Sequence, residues 1–507
     1  MARRRRSRAG LGSERQALHL LPWRQVRNPF PPISPLSDDE VEAIHRTSLR
    51  VLDELGMKVL DGETRSLLKE AGARVDEPAE MVFMEPGLVE EAITTTPPVF
   101  TLHARNPARS IEVGGNAINF TPVGGPAFTS DLDKGRRAGT YAEFCDFVRL
   151  EQMFDVIHMM GVGAFASLDL PAETRHLDHG LAGFLYGDKA VPVSLLGGER
   201  ARDGIELAKI ALGLEEQDLE TTPCVLGNIN TNSPRQLDGS MAQGLITLAR
   251  ANQPVVVTPF TLCGAMAPAT VAGALVQQNA EALFGLALIQ IVRPGAPGLY
   301  GGFTSNVDMK TGAPAFGTPE YVLACQATGQ LTRRYRVPYR SSNTNASNAP
   351  DAQAAYESMM SLWGAIMGHA NFLFHGAGWL EGGLVGSFEK LVIDAEMLQM
   401  MAVFLEGVRV DDDSLGFDAI AEVQPGGHYF GARHTLARYE TAFYSPLLSD
   451  WRNFENWSDS GAVETAERAH RLWKRMLKEY QAPPIDPGIV DGLNDYIARR
   501  KEEILVS

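Results

Sequence analysis

His375 stands at the end of the apolar run 371–374, directly before Gly376-Ala377-Gly378. An imidazole where a strand meets a glycine-rich turn can donate a hydrogen bond or handle a proton, so His375 is the candidate catalytic residue. Asn228 and Asn230 follow the run 224–226 in the same way. Their amides can hold a carboxylate or another polar group. Phe120, Phe260, Tyr300, Phe303, Phe374 and Trp379 lie at or near the ends of other apolar runs. Aromatic faces gathered at one mouth attract a cation, which makes these six candidates for substrate binding. Core packing is the competing role for each aromatic, and backbone hydrogen bonding or loop capping for His375 and the asparagines. His176 and His179 share one helix face and are read as a solvated face rather than a metal site. The stretches GGFTS, GVGAF and GGPAF lack the P-loop lysine and the complete dinucleotide spacing, and no Gly-x-Ser-x-Gly elbow is present.

Bringing these positions together requires a repeating fold. Strand patterns at 156–161, 191–196, 223–228, 254–259, 298–303, 337–341 and 371–376 are each followed by a helical pattern. Strands alternating with helices predict a parallel sheet, and a (β/α)8 TIM barrel takes about 250 residues. The fold class expected is α/β, a barrel over 140–415. Its eighth strand is expected at 407–410 or near 111–120. A doubly wound sheet is the alternative. In either fold the ligand sits outside the carboxyl ends of the strands. Residues 1–36 are expected as a flexible basic and proline-rich tail. Residues 37–139 are expected as an α+β portion packed on the barrel, with 111–120 and 127–132 as paired strands. Residues 416–507 are expected as a loop and helical extension. Ser37 with Glu40 spells a capping box at the first helix.

Composition narrows the function. The 507 residues are 44% hydrophobic, ample for a core. A net charge of −16 and a pI of 5.2 disfavour nucleic acid as a partner. Residues 1–15 hold six arginines and one acid, read as a solvated basic tail. No apolar region follows them as in a secretory signal, and no run of 18 apolar residues suggests a membrane span. Cys145, Cys224, Cys263 and Cys325 lack metal-motif spacing and sit in apolar sequence, which predicts buried reduced thiols in a cytoplasmic protein and no zinc of its own.

Five motifs point further. They are Cys263-Gly264-Ala265-Met266-Ala267-Pro268-Ala269-Thr270, AGALVQQNA at 272–280, DMKTGAPAFG at 308–317 with Pro319-Glu320, Pro350-Asp351-Ala352-Gln353, and GAGWLEGGL at 376–384. Together they resemble the trimethylamine methyltransferase family, over about residues 40–480. The resemblance implies a TIM barrel that passes a methyl group from a methylamine to the cobalt of a corrinoid (cobalamin) cofactor. A partner corrinoid-binding protein carries that cofactor, and this chain holds none. In the trimethylamine enzymes the loop before PDAQ carries pyrrolysine. Here 341–348 reads SSNTNASN, so the chain is similar to the non-pyrrolysine branch, which implies a quaternary amine such as glycine betaine. A quaternary ammonium already has a neutral amine as leaving group and needs only orientation and electrostatics. Asn228, Asn230 and His375 are then expected to donate to the substrate carboxylate. A homo-oligomer is expected. The alternatives are a non-catalytic barrel that binds betaine-like solutes and an enzyme for a different methylated amine.

Overall fold

The computed structural model describes residues 18–161 and 163–506. The expected basic tail at 1–15 lies outside the described residues. Seven strands run parallel in one curled sheet: Ala117–Pro122, Val191–Val193, Val225–Thr231, Val255–Cys263, Gly298–Gly301, Tyr339–Ser342 and Phe372–Ala377. The last pairs in parallel with the first. The remaining gap, between Ala117–Pro122 and Val191–Val193, is spanned by 156–161. There His158 donates from its backbone N–H to Phe120 O at 2.8 Å, and Met160 donates to Ala190 O at 2.8 Å.

The helices that return from the strand ends begin where the sequence supplies caps. Thr140, Asp238, Thr270, Thr318, Asp351 and Ser387 each accept from the backbone N–H three residues on. Each such cap is worth about 1 kcal/mol. Helix Val271–Val292 is long and apolar enough to cross a membrane, yet 78% of its most apolar stretch is buried within the fold. Helices Asp38–Arg50 and Pro86–Ile93 pack on it. The Ser37 and Glu40 capping box forms as the sequence implies.

Three expectations need correction. Residues 407–410 form no strand: Val408 is 90% exposed and Gly407 has φ 71. The strand beside Phe372–Ala377 is instead Ala117–Pro122, buried along its whole length as a strand covered on both faces must be. Nor does 111–120 pair with 127–132. Gly114 and Gly115 take positive φ and break the run. Ile111–Gly114 turns back on Val99–Leu102, while Phe128–Asp131 pairs with Gly135–Ala138 and Val385–Ser387. The described part of the expected flexible tail, 18–36, is pinned to the body. Val26–Arg27 pairs with Ile118 and Ala117, Leu21 N–H donates to Gln399 Oε1 at 2.8 Å, and Asn28 Nδ2 donates to Ile366 O at 2.9 Å. Apolar side chains in the segment, Trp23 and Phe30 among them, give it something to bury.

Two histidines are locked in neutral form. His158 accepts from Phe120 N–H on Nδ1 at 2.9 Å and faces Arg24 O with Nε2 at 3.0 Å. His179 stacks on Phe144 at 3.9 Å and meets Ser167 Oγ, so the face it shares with His176 is buried, not solvated. Burial lowers the pKa of each to about 3. The unfolded chain, with histidines near the usual 6.5, therefore binds more protons between those values. Their contribution to stability is complete above pH about 6.5 and shrinks as pH falls toward 3, by about 1.4 kcal/mol per pH unit for each. Denaturant unfolding at pH 7 and at pH 5 should show this loss. Equal stability at the two pH values would mean the histidines are not held neutral.

Candidate functional site

A cavity of about 590 Å³ opens at the carboxyl ends of the strands. Strand alternation decides which side chains reach it. Asn228 and Asn230, two apart on Val225–Thr231, both line it, as do Thr258 and Phe260 on the neighbouring strand. The asparagines are tied together. Thr258 Oγ1 donates to Asn228 Oδ1 at 2.6 Å, Asn228 Nδ2 to Asn230 Oδ1 at 3.1 Å, and Asn230 Nδ2 to Thr258 O at 3.2 Å. Each amide keeps one N–H for a ligand.

Phe260, Phe303, Phe374, His375 and Trp379 also line the cavity. Phe303 is the centre of the wall, with ring centroids 5.0 Å from Phe260, 6.2 Å from His375 and 6.2 Å from Trp379. Trp379 is held from behind by a reciprocal pair: its Nε1 donates to Asn345 O at 3.1 Å, and Asn345 Nδ2 donates to Trp379 O at 2.7 Å. Gly383 has φ 99, and any Cβ there would lie 2.5 Å from the Trp379 ring, so only glycine lets the loop fold over the indole.

Phe120 and Tyr300 do not reach the cavity. On their strands the same alternation turns them to the outer face. Tyr300 donates its hydroxyl to Asn279 Oδ1 at 3.1 Å on helix Val271–Val292, and Phe120 stacks on His158 at 5.6 Å. Thr121, one residue on from Phe120, lines the cavity in its place.

Arg340 is the residue that sequence reasoning missed. It sits in the middle of a buried strand and is only 2% exposed, yet its guanidinium lines the cavity. Among the described residues, no carboxylate pairs with it. Its Nε and Nη1 are buried without a hydrogen-bond partner, and the cation lies 4.7 Å from the Phe374 ring and 5.3 Å from the Phe303 ring. Burial pulls its pKa down to about 10, so it stays charged at neutral pH. The only sequence signal was an arginine inside an otherwise uncharged strand.

Arg340 meets His375 at a bulge. His375 has φ 56, a strained value for a residue with a side chain, and the pairing with Ala117–Pro122 shifts register between Leu373 and Ala377. The shift brings Phe374 and His375 to the same cavity. Gly124 N–H points at His375 Nδ1 at 3.3 Å, and Arg340 Nη2 points at Nε2 at 3.3 Å. Burial and the Arg340 charge hold the His375 pKa well below its usual value, so the ring is neutral. A neutral imidazole has one acceptor nitrogen, and here two donors face the ring. One of the two long contacts is therefore unsatisfied. An anion placed between Arg340 and His375 would accept from both and resolve the conflict.

No aspartate, glutamate, lysine or cysteine is among the described residues of the lining. Among the described residues, no three His, Cys, Asp or Glu side chains are grouped to hold a metal ion. Gly124, Gly125 and Gly163 line the cavity together with half-exposed Leu196 and Leu384.

The fold and cavity thus define a class: an α/β protein with a cavity at the carboxyl ends of its strands, lined by one buried cation, two amides and an aromatic wall. Sequence comparison supplies the family. The trimethylamine methyltransferase (MTTB) family profile matches residues 2–505, and the chain belongs to that family. It is 34% identical over 476 residues to the glycine betaine methyltransferase of Desulfitobacterium hafniense strain Y51, covering 94% of this chain and 98% of that protein. It is 30% identical over 475 residues to trimethylamine methyltransferase MttB of D. hafniense strain DCB-2, covering 92% and 94%. Among solved structures, Methanosarcina barkeri monomethylamine methyltransferase (MtmB) aligns over 90% of this chain and 97% of that one, with 13% identity and a TM-score of 0.45.

An unpaired buried cation does not stabilise a fold. Arg340→Met should therefore leave the ligand-free protein as stable as the parent or more so, read by thermal denaturation. A loss above about 2 kcal/mol, in the range of a broken buried interaction, would make Arg340 structural instead.

Proposed function

We propose that this chain transfers a methyl group from a quaternary ammonium carboxylate, glycine betaine or a close homologue, to a corrinoid carried by a partner protein. The observation that carries this reading is the unpaired guanidinium of Arg340 set below an aromatic wall in a cavity whose described lining has no acid. A free amine or a neutral solute would leave that charge unmatched. A betaine carboxylate satisfies it, and the trimethylammonium end, repelled by Arg340, turns toward Phe260, Phe303 and Trp379. The relationship to a glycine betaine methyltransferase supports the same substrate class.

The chemistry asks little more of the chain. The N–CH3 bond breaks, and the amine leaves neutral with the electron pair, so no proton is required. A reduced corrinoid, docked at the rim, would supply the cobalt nucleophile. Gly124, Gly125, Gly163, Leu196 and Leu384 give that approach small and apolar side chains. The chain binds the carboxylate, holds one methyl toward the mouth and keeps water from the cation. These are gains from orientation and preorganised charge. His375 acts as a neutral donor to the carboxylate rather than as an acid. We take the sheet as a complete (β/α)8 barrel, a reading supported by the hydrogen bonds of 156–161 to both neighbours. A cytoplasmic setting is supported by four buried free thiols.

Methyl transfer assayed with reduced corrinoid protein should convert glycine betaine to dimethylglycine and leave trimethylamine, which has no carboxylate, untouched. His375→Ala should weaken betaine binding by about 1–3 kcal/mol, and Arg340→Lys should also lower kcat, because a point charge cannot fix the carboxylate in one orientation. Betaine binding without demethylated product would make the protein a binder. Unchanged affinity in both variants would remove the carboxylate from this site.

A further inference from the structure

Glu151 is a buried acid with no part in the methyl transfer described above. It lies on helix Tyr141–Met153, which leads into 156–161, and it is wholly buried. Its Oε2 accepts from Gly161 N–H at 2.8 Å, and its Oε1 has no hydrogen-bond partner. Gly161 lines the cavity, so the carboxyl stands one backbone's thickness behind the wall. No side chain fills the space between. A Cβ on Gly161 would lie 2.7 Å from Oε1 and 2.8 Å from Cγ of Pro122, another lining residue.

An acceptor for Gly161 N–H need not be an acid. A glutamine accepts the same bond without a titratable group, and a buried carboxyl with an orphan oxygen is costly. Lys189 does not account for the acid either. Its Nζ donates to the backbone oxygens of Glu151 and Phe154, at 2.7 and 2.9 Å, rather than to the carboxyl. Burial raises the Glu151 pKa well above the usual carboxylate value, against the Gly161 bond and the Lys189 charge. Lys189 is the charged group that faces Glu151, and Arg109, Asp155 and Asp188 face Lys189 in turn. Two strands, Ala117–Pro122 and Phe372–Ala377, separate 156–161 from the strand of Arg340 on the short way round the sheet. The acid and the cation therefore stand on different walls of the cavity. A betaine has no net charge: its carboxylate balances Arg340, and its ammonium is left in need of an anion.

We propose that Glu151 is the counter-charge of the substrate ammonium, acting through space across Gly161. This rests on the betaine reading above. With the cavity empty the carboxyl keeps its proton. When the ammonium enters, the cation favours the ionised form and the proton passes to solvent. The ammonium loses its charge as the methyl group leaves, so the carboxylate holds the bound substrate more strongly than the transition state. It sets affinity and orientation rather than the rate of the chemical step.

Two ligands of one shape test this: glycine betaine, and tert-butylacetate, in which carbon replaces the ammonium nitrogen. Titration calorimetry of the full-length protein in buffers of differing ionisation enthalpy should show proton release with betaine and none with tert-butylacetate. That readout needs no variant. Glu151→Gln, which keeps an acceptor for Gly161 N–H, should weaken betaine binding about tenfold and leave tert-butylacetate within roughly twofold. With reduced corrinoid protein it should raise KM by about the same factor and leave kcat unchanged or higher. Betaine binding without proton release overturns the proposal, as does parental betaine affinity in Glu151→Gln. A variant that weakens both ligands alike makes Glu151 structural and overturns it too. If Arg340→Met still weakens both ligands in any of these cases, the carboxylate anchor stands and only the role of Glu151 falls. A parent that binds neither ligand overturns the betaine reading and this proposal with it.

Discussion

The constraint on which the site depends is a buried guanidinium with no carboxylate among the described residues to balance it. Arg340 sits in the wall of the parallel sheet with two of its nitrogens unpartnered, against a histidine that burial first and the Arg340 charge second keep neutral. Burying a charge without a partner costs several kcal/mol, and a fold tolerates it only where the surrounding structure is fixed independently. The aromatic rings of Phe303 and Phe374 return part of that cost through their negative faces.

What fixes the surroundings lies one layer behind. Lys390 and Asp394 form a fully buried ion pair on helix Phe388–Phe404. Lys390 Nζ also donates to Ser358 Oγ at 2.8 Å, and Asp394 Oδ2 accepts from Gly378 N–H at 2.8 Å. Asn343 Nδ2 donates to Gly376 O at 3.0 Å, and Asn345 clasps Trp379. Burial raises the Asp394 pKa and lowers that of Lys390, so the pair contributes geometry more than stability. The bulge at His375 and the turn carrying Trp379 are therefore both anchored. Asn343 and Asn345, conspicuous in a polar loop, serve as scaffold.

Much of this was legible in the chain because it depends on local chemistry. Helix starts followed Ser, Thr and Asp caps, and the strand-to-helix rhythm announced the sheet. Asn228 and Asn230 are two apart, so both had to face one way. Phe120 and Tyr300 miss the cavity for the same reason that those two line it: one residue of register separates cavity from outer face, and an apolar strand buried on both sides carries no polar alternation to show which is which. The run 407–410 was the next candidate for the eighth strand the ring needs, but its valines are exposed and the place beside Phe372–Ala377 is taken by Ala117–Pro122.

The sequence by itself determined the family, the α/β rhythm, the caps and the absence of a special residue in the loop 341–348. These follow from residue types at short spacing and from motifs that survive as text. Only the tertiary structure decided that Arg340 points inward, that a bulge swings His375 to meet it, and that no carboxylate arrives from elsewhere in the described chain. A pairing or its absence between side chains 35 residues apart is set by how strands register across the sheet. No local pattern records that.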